Sequence, residues 1–68
     1  MSEFYPIPSY EGLYWIDFEG HVKNREDHLM KPIQTSKGLM VELRKNGQRE
    51  KLFIDDLIAI IKTLEELK

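Results

Sequence analysis

No cysteine occurs anywhere in the 68 residues. That excludes disulfides and thiolate metal sites, and it points to a reducing compartment, the cytoplasm. Long apolar runs are missing as well. The longest, Leu57 to Ile61, falls far below the roughly 20 residues that span a bilayer. The N-terminus has no basic region leading into an apolar stretch, so neither membrane insertion nor secretion is expected. Length is also in short supply. A chain of this size hides only about 60% of the surface that its unfolded form exposes, so a single domain over residues 1–68 is expected, held by a compact core without covalent or metal braces.

Catalytic patterns are equally scarce. There is no phosphate loop and no nucleotide-binding glycine pattern, and Ser2, Ser9 and Ser36 have no base at a recognisable offset. His21, Asn24 and His28 invite comparison with a His-Asn-His nuclease site. Such a site needs a frame of about two dozen residues or more to bring strand and helix side chains together, whereas these three sit within one short hairpin and loop. His28 beside Glu26 and Asp27 lacks the three or four converging ligands of a metal site. The expectation is therefore a protein without catalytic residues, cofactor or bound metal.

The net charge of -2 conceals an uneven layout. Residues 1–20 hold four acids and no base, residues 21–51 eight bases and four acids, and residues 52–68 two bases and four acids. A basic middle between acidic ends is a modest form of the electrostatic footprint of a nucleic-acid binder.

Patterning then divides the chain. In residues 1–12, Pro6, Pro8, Ser9 and Gly12 among Phe4, Tyr5, Ile7 and Tyr10 predict an extended segment pinned across the sheet by its aromatics. Antiparallel strands are expected over residues 13–54. Leu13 to Phe18 alternates, with Tyr14, Ile16 and Phe18 on one side, and Glu19-Gly20 supplies a turn back into His21 to Asn24. Pro32 confines any strand near it to a sheet edge, and Thr35 to Gly38 reads as loop. Asn46-Gly47, the dipeptide favoured in a two-residue type I′ turn, joins Leu39 to Lys45 with Gln48 to Ile54. Its register sets Leu39 opposite Ile54, Val41 opposite Leu52 and Leu43 opposite Glu50 on one face. On the other it sets Met40 opposite Phe53, Glu42 opposite Lys51 and Arg44 opposite Arg49. The last pair is a like-charge conflict that an anion would relieve.

From Asp55 the period changes. Leu57, Ile58, Ile61 and Leu64, widened by Ile60 and Leu67, predict a helix over residues 55–68 with one face on the sheet. Asp55 and Asp56 suit its positive end. A domain this small needs that stripe for its own core, which favours a monomer over a homodimer. The fold class expected is α+β: a small antiparallel sheet of three to four strands in two hairpins, packed against one C-terminal amphipathic helix.

Several separated blocks in order, Ile7-Pro8-Ser9-Tyr10-Glu11-Gly12-Leu13-Tyr14, Gly20-His21-Val22, Leu29-Met30-Lys31-Pro32, Ser36-Lys37-Gly38 and Leu43-Arg44-Lys45-Asn46-Gly47 running on to Leu57-Ile58-Ala59, resemble the NUMOD class of nuclease-associated modular motifs. These accompany the HNH catalytic domain of phage homing endonucleases as DNA-contacting modules. The resemblance implies a free-standing accessory module of bacteriophage or prophage origin, working in the bacterial host cell, that binds duplex DNA without cutting it. Lys23, Arg25, Lys37, Arg44, Lys45, Arg49 and Lys51 would be the phosphate-contacting side chains.

The departures from the family fall where DNA contact is expected. His21 replaces an arginine, Asp17 and Glu19 add acids, and Asp55-Asp56 replaces a basic pair, which predicts a weaker binder. Trp15 stands where the family is usually polar. An alternative follows from these changes: a small phage protein that binds and inhibits a host or anti-phage defence protein, such as a nuclease, through Trp15, Phe18, Asp17 and Glu19.

Overall fold

Six short strands and a helix follow one another in the computed structural model, which describes residues 3–68. Met1 and Ser2, at the start of the expected N-terminal segment, lie outside the described residues. The strands are β1 (Tyr5–Pro6), β2 (Tyr14–Ile16), β3 (Val22–Asn24), β4 (Ile33–Thr35), β5 (Gly38–Lys45) and β6 (Gln48–Phe53), and the helix is α1 (Ile54–Glu66). They form two antiparallel three-stranded sheets, ordered β1-β2-β3 and β4-β5-β6. The α+β class holds, with two small sheets in place of one sheet of three to four strands.

Each sheet is one predicted hairpin plus a strand that local reasoning left out. In the first, Tyr5 and Pro6 pair with Ile16 and Trp15, so the N-terminal segment extends the sheet edge before it folds inward. In the second, Ile33 to Thr35 pairs with Gly38 to Met40 around Ser36-Lys37, where a loop was expected. That turn is held by the Thr35 hydroxyl, which donates to the Gly38 carbonyl at 2.7 Å and accepts from the Lys37 N–H at 3.2 Å. Such local side-chain bonds let a two-residue turn form without an Asn-Gly signal. Pro32 directly precedes β4, and β4 is an edge strand, as its missing N–H requires.

Asn46 and Gly47 both take positive φ, 53° and 79°, the type I′ geometry. The β5–β6 register matches expectation from Met40–Phe53 to Arg44–Arg49. The Leu39–Ile54 pair does not form, because Ile54 opens the helix instead. Asp55 and Asp56 lie in the first helical turn, and Phe53 caps it without a side-chain hydrogen bond.

The core gathers Ile7 and Tyr10 from the N-terminal segment, Ile16 and Val22 from the first sheet, Val41 and Leu43 from the second, and Ile54, Leu57 and Ile61 from the helix. Gly20 lets the first sheet approach the helix. Its φ is +93°, and a Cβ there would meet the Ile54 Cγ2 at 3.2 Å, so a side chain is opposed both by backbone conformation and by space. The helix buries a narrower face than its apolar stripe suggests. Ile60, Leu64 and Leu67 remain 45%, 46% and 79% exposed, because the small second sheet covers only the Leu57–Ile61 side.

Candidate nucleic-acid interface

The β5–β6 ribbon carries its cations toward the Asn46-Gly47 tip. Arg44 and Arg49 face each other across the strands, with Lys51 opposite Glu42 one step further in. All four cations of the ribbon, Arg44, Lys45, Arg49 and Lys51, are exposed. Among the described residues none of them is in an ion pair, and that includes Lys51 despite its place opposite Glu42. Two like charges held across a ladder raise the local potential, and an anion placed between them lowers the energy of both.

Two tyrosines seat the ribbon on the rest of the fold. The Tyr10 hydroxyl donates to Glu50 Oε2 at 2.8 Å, so that carboxylate is already engaged. Burial, then that bond, holds the Tyr10 hydroxyl above its ordinary pKa. The Tyr14 hydroxyl accepts the Arg44 N–H at 3.2 Å. Lys45 alternates onto the core-facing side, where its ammonium donates to the Ser9 carbonyl and lies 5.6 Å from the Tyr10 ring centre. A groove of about 540 Å³ runs along this side, lined by Tyr10, Lys45, Asn46, Gln48, Arg49 and Glu50. Neither tyrosine contact has a sequence signal, since the partners lie 40 and 30 positions apart.

The seven predicted phosphate-contacting residues do not form one surface. Arg25 joins the ribbon cations, because it lines a shallow hollow together with Arg44, Leu13, Tyr14, Asn24 and the acid Glu26. Lys23 is drawn inward, 3.0 Å from Asp27 and 4.5 Å from the centre of the Phe4 ring. Lys37 sits in the Ser36-Lys37 turn at the opposite end of β5, and eight strand residues place it roughly 25 Å from the ribbon tip. The set gathered at one end is Arg25, Arg44, Lys45 and Arg49, with Lys51 adjoining.

This fold is similar to part of a homing endonuclease. A solved structure titled "DNA binding and cleavage by the HNH homing endonuclease I-HmuI" matches with a TM-score of 0.78 at 27% identity, over 85% of this chain and 34% of that one. The chain thus spans about a third of I-HmuI. No family model matches the sequence, and no curated protein does.

The residues of the alternative partner surface are arranged for other tasks. Asp17 is 1% exposed, which corrects its expected place on a contact surface. Its Oδ1 accepts the backbone N–H groups of Glu19 at 3.0 Å and His21 at 2.8 Å, and its Oδ2 lies 2.9 Å from His21 Nδ1. Aspartate bonding the backbone ahead of a glycine turn is an Asx motif, a signal present in Asp17-Phe18-Glu19-Gly20. Burial pushes the Asp17 carboxyl up, but the bonds from the His21 ring and from the His21 and Glu19 backbone outweigh it and leave the pKa lowered. The His21 imidazole is raised, first by its bond to Asp17 and then by that carboxylate's charge. Phe18 is 43% exposed and stacks on Tyr5 with ring centres 5.0 Å apart, while Trp15 is half-buried.

Asp17, Glu19 and His21 bring three possible metal ligands within 4.8 Å of one another. Three donors from one turn fall short of a tetrahedral site, and both Asp17 oxygens already hold the turn together. Asn24 is likewise structural: its Oδ1 accepts the N–H groups of Glu26 at 2.9 Å and His28 at 3.1 Å. The Asn24 oxygen therefore organises the loop that carries His28. The helix is too short and too polar to cross a membrane.

Proposed function

We propose that this chain is a NUMOD-type accessory module that binds duplex DNA without cutting it, with the tip of the β5–β6 ribbon as its contact surface. The observation that carries the reading is the pair Arg44 and Arg49, fixed opposite each other and, among the described residues, in no ion pair, in a fold similar to a portion of a DNA-binding endonuclease. A two-stranded ribbon is narrow enough to enter the major groove of B-form DNA. Arg25, Arg44, Arg49 and Lys51 contact phosphates, Lys45 adds charge while tethered to Ser9, and Lys23 and Lys37 contribute little. Phosphate contacts of this kind carry no sequence information, so they make the binding mainly electrostatic. A phage origin and action in the host cytoplasm fit the same reading.

Four phosphate contacts imply a slope of log K against log salt of about -3.6, and hence a loss of about 150-fold in affinity between about 50 and 200 mM salt. Anisotropy titrations of a labelled random-sequence duplex at those two salt concentrations read this directly. Absence of binding at the lower concentration ends the DNA reading. Nicking of supercoiled plasmid in the presence of magnesium overturns the nuclease-free part alone. A role as an inhibitor of a host or defence protein keeps one favourable observation, the exposed Phe18 ring. The burial of Asp17 removes an acid from that surface.

A further inference from the structure

The sequence holds two asparagines, Asn24 and Asn46, and the fold treats them in opposite ways. Asn24 is half-buried, and its Oδ1 accepts two backbone N–H groups, which hold the side chain in place. The residue after it, Arg25, carries a Cβ and a long chain beside the amide that joins them. Asn46 is exposed and precedes Gly47, where even a Cβ would meet nothing within 4 Å. Strand pairing ends at Lys45 and Gln48. Among the described residues no hydrogen bond engages the Asn46 side chain or the Gly47 N–H.

We propose that Asn46 is a site of spontaneous deamidation, and that its conversion sets a carboxylate beside the Arg44–Arg49 pair and weakens the hold of the ribbon tip on anions. The effect on DNA rests on the binding surface proposed above, whereas the chemistry does not. The Gly47 backbone nitrogen gives up its proton to solvent hydroxide and bonds to Asn46 Cγ. The side-chain nitrogen takes a proton from water and leaves as ammonia, and a cyclic imide remains. Water then opens the ring. Attack at Cγ gives aspartate and attack at the main-chain carbonyl gives isoaspartate. Either way a neutral amide becomes a carboxylate, and the Gly47 nitrogen regains its proton.

The tip favours this step in three ways. Gly47 has no side chain to shield its nitrogen. The exposed Arg44, Lys45 and Arg49 stabilise the negative charge that develops on that nitrogen. The carboxylate formed lowers the energy of two arginines held across the ladder. The turn opposes the step, because the backbone must rotate out of its type I′ geometry before the nitrogen reaches Cγ. An exposed hairpin end opens at low cost, so conversion is slow rather than blocked. Aspartate tolerates the positive φ of position 46, and that product keeps the hairpin. Isoaspartate lengthens the main chain by a carbon atom and disturbs the β5–β6 register.

Mass spectrometry of the full chain, held at physiological temperature and mildly alkaline pH for a month, tests the chemistry. The chain should gain about 1 Da, the difference between an amide and an acid, and peptide mapping should place the gain at Asn46 with Asn24 unchanged. An unchanged mass overturns the proposal, and so does a gain at Asn24 as fast as at Asn46. Anisotropy titration of freshly prepared Asn46→Asp, with circular dichroism as the check on folding, tests the consequence. Cancelling one phosphate contact should weaken duplex binding roughly tenfold at about 50 mM salt. Equal affinity of the variant and the wild type overturns the charge effect. A fresh wild type that binds no duplex fails the DNA reading instead, and the mass measurement still decides the modification.

Discussion

Removing the Asp17 carboxylate probes the turn that joins β2 to β3 and packs, at Gly20, against Ile54 of the helix. Its two oxygens hold the Glu19 and His21 backbone N–H groups and the His21 ring at 2.8–3.0 Å, and the side chain is buried. Asp17→Ala leaves two N–H groups without their acceptor. Hydrogen bonds to charged groups are worth about 1.5–3 kcal/mol each. Because water reaches this partly exposed turn, the low end applies, or about 3 kcal/mol for the pair. A domain of this size has about 3–10 kcal/mol in total, and at about 4–8 °C per kcal/mol the melting temperature should fall by about 12–24 °C. Thermal melts followed by circular dichroism measure it. A fall of less than about 4 °C refutes the reasoning, since it means that solvent replaces the carboxylate without penalty.

The same pair gives a pH signature. The His21 pKa is raised above its ordinary 6.5, so its contribution is complete below that value and fades as pH rises through the raised one. The Asp17 pKa is lowered below its ordinary 3.8, so its contribution is complete above 3.8 and fades as pH falls through the lowered one. The difference in melting temperature between wild type and Asp17→Asn should therefore be widest between those limits and shrink on both sides. A constant difference across the range contradicts the assigned ion pair.

Three further outcomes are expected. Gly20→Ala should destabilise by about 2 kcal/mol by chemical denaturation, through its positive φ and the Ile54 contact; a neutral result means that the turn relaxes. Arg44→Ala combined with Arg49→Ala should halve the salt slope to about -1.8, so that affinity falls only about 12-fold over the same salt range; an unchanged slope places the DNA contact elsewhere. Tyr10→Phe removes the bond to Glu50 and should cost about 1 kcal/mol; equal stability in urea would mean that ring burial alone seats the N-terminal segment.

What the sequence by itself determined are the features that depend on near neighbours. The Asn46-Gly47 turn, the register from Met40–Phe53 to Arg44–Arg49 and the helix after Phe53 were all legible, because turn chemistry and side-chain period act over a few residues. The α+β class follows from them. Only the tertiary structure decided the two-sheet arrangement, since β1 and β4 are too short to carry a periodic signal and exist by pairing with strands already formed. It also decided where the charges lie. Lys23 turned to Asp27 and Lys37 went to the far turn, while Arg25, in the turn after β3, came to line one hollow with Arg44. Asp17, an acid that composition assigns to the surface, became a buried anchor because a turn offered its carboxylate backbone donors that compensate for lost water. Burial and charge proximity are properties of chain segments meeting from a distance, and no local pattern records which segments meet.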